Sequence, residues 1–132
     1  MSRASSEAPL VVIIENDRAM AEALSLLVED WGYEAVATAT PAMAVRRLGP
    51  RVHDIAAIIA DYHLDDGFTG MKGATALAQA SGHRVPTIVT TGHPVMAEHE
   101  NLFSVLWKPF DPSVLQRWLV DHVGRASTAR IA

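Results

Sequence analysis

Five short apolar runs, each closed by polar residues and separated by helical or loop patterns, set the strongest limit on what this chain can fold into. LVVII (10–14) and IAAIIA (55–60) are unbroken and rich in β-branched residues, the mark of strands buried on both faces. YEAVATA (33–39), PTIVTTG (86–92) and FSVLW (103–107) complete the set. After the first run, Met20, Leu24, Leu27, Val28 and Trp31 share one helical face. Asp17 stands where an N-cap belongs, and Gly32 where a left-handed C-terminal cap belongs. Thr40 and Pro41 open a second helix that ends near Leu48-Gly49-Pro50, and a third is expected over about Ala74–Ala80. PVMAEHEN (94–101) has room only for a short fourth helix. Asp111-Pro112 opens a last one, with Val114, Leu115, Trp118, Leu119 and His122 or Val123 on its inner side. Strands alternating with helices imply a parallel α/β sheet covered on both faces.

A length of 132 residues suits one domain with a real core. Residues 1–9 read as a disordered N-terminus, 10–123 as the domain and 124–132 as a flexible tail. With no cysteine, disulfides, thiolate metal sites and cysteine nucleophiles are excluded. A net charge of −4 argues against direct nucleic-acid binding. No apolar run approaches the roughly 20 residues of a membrane span. The polar MSRASSEAP opening is no signal peptide, so the cytoplasm is the expected location.

In parallel sheets ligands bind beyond the carboxyl ends of the strands. There the chain places Glu15, Asn16 and Asp17 after strand one, Asp61 after strand three, Thr90 and Thr91 after strand four, and Lys108 after strand five. Taken singly, each has a plain reading: a turn and helix cap, a second cap, a solvated lysine, threonines in a buried strand. Taken together, they suit phosphoryl transfer to Asp61. Carboxylates from two strands favour a hard cation such as Mg²⁺. An aspartate beside a cation stays ionised and nucleophilic. A lysine and a hydroxyl would then neutralise and hydrogen-bond the phosphoryl oxygens.

In order and spacing, the acidic pair, IIADYHL, PTIVTTGH and KPF resemble the receiver domain of two-component response regulators, over residues 10 to about 123. The resemblance implies a flavodoxin-like (βα)₅ three-layer sandwich of strand order 2-1-3-4-5. It makes Asp61 the phosphoacceptor, Thr91 the switch hydroxyl that contacts the phosphoryl group, and Lys108 the family's lysine, with a cis Lys108–Pro109 bond. Counting from Pro86 selects Thr91 over Thr90. Glu15, Asn16, Asp61 and the main-chain carbonyl of His63 would hold Mg²⁺. The implied partner is a histidine kinase or histidine phosphotransfer protein, with a homodimer or another protein as the output. Such a chain is a phosphoacceptor that assists its own phosphorylation and dephosphorylation, not an ordinary enzyme.

Four departures stand out. Asn16 replaces the usual aspartate, so weaker Mg²⁺ binding is expected, and Asp17 is left to cap the helix. Thr91 and Lys108 are 17 residues apart, which shortens the fourth helix. Val105 occupies the usual aromatic switch position, with Phe103 as candidate substitute. His63 and His93 flank the phosphoryl site, where they would tune hydrolysis. The alternative is a degenerate pseudo-receiver that binds proteins without phosphorylation. A phospho-aspartate hydrolase is disfavoured, because His63 stands where such enzymes need a second aspartate.

Overall fold

The computed structural model describes residues 8–62, 70–92 and 104–124. In chain order they form β1 (Leu10–Ile14), α1 (Arg18–Asp30), β2 (Glu34–Thr38), α2 (Pro41–Leu48), a 3-10 helix (Gly49–Asp54), β3 (Ile55–Asp61), α3 (Gly70–Ser81), β4 (Thr87–Thr91), β5 (Ser104–Trp107) and α4 (Pro112–Val123). All strand pairs are parallel, and the sheet order is β2-β1-β3-β4-β5, the expected flavodoxin-like arrangement.

The period of two along each strand divides the core into two layers. Val11, Ile13, Ile59, Ile88 and Leu106 face α1 and α4, meeting Leu24, Val28, Leu115, Trp118 and Leu119. Leu10, Val12, Ile14, Ile58 and Ala60 face the other way, onto Ala44, Leu48, Ala74 and Leu77 of α2 and α3. Each fully buried Leu or Ile contributes about 1.5–3 kcal/mol from surface removed from water. Strands this apolar on both faces have stable positions only inside such a sandwich.

Side-chain caps fix where helices begin. Asp17 Oδ1 accepts from Met20 N at 3.1 Å, Thr40 Oγ1 from Met43 N at 3.2 Å and Asp111 Oδ1 from Ser113 N at 2.9 Å. Gly32, with φ +97°, follows the end of α1 as expected. Two hydrogen bonds reach residues just outside 10–123. Pro9 O accepts from Glu34 N at 2.9 Å, and Gly124 O accepts from the Tyr33 hydroxyl at 2.8 Å. Both residues are therefore tied to the fold, although the sequence places them in flanking segments.

Two helix expectations need correction. α3 starts at Gly70 rather than near Ala74, because packing of Ala74 and Leu77 outweighs the poor helix propensity of Gly73. α2 ends at Leu48 as expected, and Gly49-Pro50 then opens the 3-10 helix. On α4, Val114 is 51% exposed, since it lies about 100° round the helix from buried Leu115. His122 is also exposed and stacks on Trp118 with centroids 4.6 Å apart, leaving Val123 to pack inward. The short helix expected over 94–101 lies outside the described residues, as do Phe103 and the terminal segments 1–7 and 125–132. No helix among the described residues is long and apolar enough to cross a membrane.

Candidate functional site

Three backbone hydrogen bonds carry the sheet's order one step beyond its strands. Glu15 N donates to Thr38 O at 3.0 Å, Tyr62 N to Thr90 O at 2.8 Å, and Lys108 N to Thr91 O at 2.7 Å. The side chains at the carboxyl edge therefore stand on fixed main chain. Register aligns them further. Ile14 pairs with Ala60, so Glu15 falls beside Asp61, and Asp61 in turn pairs with Thr90. Glu15, Asp61 and Thr90 form one row across β1, β3 and β4. Lys108 closes the group from beyond β5, and its bond to Pro109 is cis as expected.

Lys108 Nζ lies 3.6 Å from Asp61 Oδ1 and 3.6 Å from Glu15 Oε1. One ammonium thus serves two carboxylates that are almost shut off from water, Glu15 being 3% and Asp61 8% exposed. Burial pushes the Glu15 carboxyl above its ordinary value. The Asp61 carboxylate adds to that rise, while the Asp17 N–H and the Lys108 charge oppose it. Glu15 Oε2 accepts from Asp17 N at 3.1 Å, whereas buried Oε1 has no hydrogen-bond partner among the described residues.

Of the residues collected from the sequence, the structure brings Glu15, Asp61 and Lys108 together. Asn16 is half-buried, one residue beyond Glu15. Asp17 is exposed and caps α1, as expected. Thr91 is fully buried at the end of β4, opposite Trp107. His63 and His93 lie outside the described residues. Val105 is half-buried and packs beside Tyr62 and Val89. Tyr62 is not singled out by the sequence, and Thr90 is collected with Thr91 at the strand end but passed over for the phosphoryl contact. The signals for them are an aromatic directly after Asp61 and a second hydroxyl directly before Thr91.

Among the described residues no group of three His, Cys, Asp or Glu is arranged for a metal. Two carboxylates and an amide are nonetheless a donor set that a hard cation accepts, since Mg²⁺ commonly takes only one or two carboxylates. The crowded carboxylate pair, with Glu15 Oε1 accepting no hydrogen bond among the described residues, fits a further positive charge here.

A family model described as the response regulator receiver domain matches residues 11–119. No curated protein matches. Among solved structures, a response regulator receiver domain protein from Clostridium thermocellum is 20% identical, with a TM-score of 0.73 over 88% of this chain and 94% of that one. A receiver domain from Methylobacillus flagellatus is 24% identical, with a TM-score of 0.73 over 86% and 98% of the two chains. The signal receiver domain of a modulated diguanylate cyclase from Desulfovibrio desulfuricans is 25% identical, with a TM-score of 0.72 over 88% and 94%.

Proposed function

Because the chain belongs to the response regulator receiver domain family, we propose that it acts as a phosphorylation switch with Asp61 as the acceptor. The observation that carries this reading is the buried Asp61 carboxylate, with Lys108 Nζ 3.6 Å from its Oδ1 and Glu15 beside it in the same row. A structural cap would need neither the lysine nor the second acid.

In this reading an Asp61 oxygen attacks the phosphorus of a phosphohistidine on a kinase or phosphotransfer protein. The new P–O bond forms as the P–N bond breaks, and the electron pair leaves with the imidazole. Lys108 is freed from part of its pairing with the acceptor carboxylate and turns to the phosphoryl oxygens. The Thr91 hydroxyl donates to one of them. Glu15, Asn16, Asp61 and the main-chain carbonyl of His63 would hold Mg²⁺, which supplies charge neutralisation for the phosphoryl group. His63 and His93 are the residues to tune water attack afterwards. The gain of phosphoryl charge then switches binding to a protein partner or to a second copy of the chain.

The test is intact-mass spectrometry after incubation with acetyl phosphate and Mg²⁺. Wild type should gain one phosphoryl group, and Asp61→Asn should gain none. Failure of wild type to label, under conditions that label another receiver, leaves the phosphorylation-independent binding module as the reading.

A further inference from the structure

Thr90 Oγ1 is a buried hydroxyl, in a residue 1% exposed, with no hydrogen-bond partner among the described residues. A buried unsatisfied polar atom is uncommon in a native fold and asks for a reason. The sheet core at this position would take valine, which has the same branching and no polar atom to satisfy. Thr90 is not placed at random. Register pairs it with Asp61 on the adjacent strand, so the two residues share one row of the sheet. Neighbouring strands are about 4.7–4.9 Å apart, so the Thr90 and Asp61 side chains occupy adjacent positions on one face of the sheet. Glu15, the other member of the row, is a strand further away. Two buried atoms flanking Asp61 therefore lack a hydrogen bond among the described residues, Glu15 Oε1, which lies 3.6 Å from Lys108 Nζ, and Thr90 Oγ1.

We propose that Thr90 is a further residue of the phosphorylation chemistry, its hydroxyl donating to the Asp61 carboxyl oxygens as the acyl phosphate is cleaved. The inference rests on Asp61 being the acceptor. In hydrolysis a water oxygen forms a new bond to phosphorus, and the P–Oδ bond breaks. Its electron pair returns to Asp61 as carboxylate, and the water's protons leave on inorganic phosphate or to solvent. Charge therefore grows on the carboxyl oxygens in the transition state. A hydrogen bond to an ionised oxygen is stronger than one to a neutral acyl oxygen, so the Thr90 hydroxyl speeds loss of the phosphoryl group. Thr91 is left to contact the phosphoryl oxygens, and the paired threonines divide the work between the two sides of the P–O bond.

The experiment compares wild type, Thr90→Val and Thr90→Ser, each labelled with acetyl phosphate, freed of donor and followed by mass as the label decays. Thr90→Val should lengthen the half-life about tenfold, less than the roughly 10²–10³-fold effect of a preorganised oxyanion donor. Thr90→Ser, which keeps the hydroxyl, should stay within about twofold of wild type. Thermal melting of the unlabelled proteins should show Thr90→Val at least as stable as wild type, because it removes an unsatisfied buried group. Equal decay of Thr90→Val and wild type overturns the proposal, as does a Thr90→Ser decay as slow as that of Thr90→Val, which would trace the effect to packing. If wild type never labels, the acceptor reading fails and this inference falls with it. Labelling at Asp61 with unaltered lifetimes removes only Thr90's role.

Discussion

Val105 on β5 packs against Tyr62, the residue that follows Asp61. The aromatic ring at this edge of the sheet thus stands on the acceptor strand, and β5 offers it only a small aliphatic partner. Tyr62 is 5% exposed, and among the described residues its cluster holds only Val89 and Val105 beside it. Tyr62→Ala should cost about 3–5 kcal/mol, as for other large aromatics removed from a packed site. Urea unfolding followed by circular dichroism measures it, and a loss well under 1 kcal/mol would mean the ring is dispensable.

Lys108→Met should remove the single cation shared by Glu15 and Asp61. About a quarter of the lysine side chain is exposed. The loss in stability should therefore be about 1–3 kcal/mol, below the roughly 3–5 kcal/mol typical of breaking a fully buried pair. Labelling by acetyl phosphate should fall much further, since the lysine's larger role comes after the phosphoryl group arrives. A variant that labels at the wild-type rate would remove Lys108 from the mechanism.

The raised Glu15 carboxyl makes stability depend on pH in a definite sense. In metal-free buffer the folded protein keeps a proton on Glu15 at pH values where the unfolded chain has released it, upward from the ordinary value of 4.5. Wild-type stability should therefore fall as pH rises from 4.5 through the raised folded value. Glu15→Gln cannot ionise and should escape this loss. It should melt above wild type at pH 7, with the gap closing as pH falls toward 4.5. A gap that widens on acidification would contradict burial and the Asp61 charge as the cause.

Asn16→Asp should restore a third carboxylate to the strand ends and tighten Mg²⁺ binding by about tenfold, in line with the dependence of affinity on ligand charge. Isothermal titration of the unphosphorylated protein reads it directly. Unchanged affinity would place Asn16 away from the metal.

The acids and the lysine were legible in the sequence because a parallel sheet sends every strand end to the same edge, so Glu15, Asp61 and Lys108 could be collected by counting. Thr90 was visible as a hydroxyl, but its place beside Asp61 depends on how β4 slides along β3, a relation neither strand encodes alone. The same limit applies to Tyr62, whose burial depends on Val105 from a distant part of the chain. Gly70 and Gly73 hid the first turns of α3, since local propensity argues against helix there and tertiary packing overrides it. Val114 misled because an apolar residue in a first helical turn need not face the sheet.

The Tyr33 hydroxyl holds Gly124 O at 2.8 Å, just before β2 begins and just after α4 ends. The end of α4 is thus fastened at the pole of the sheet opposite the acidic crevice. A purification tag or fluorescent protein joined beyond Gly124 starts its path from that far pole and leaves the approach to Asp61 clear. The same fusion placed between β3 and α3 would stand in the doorway.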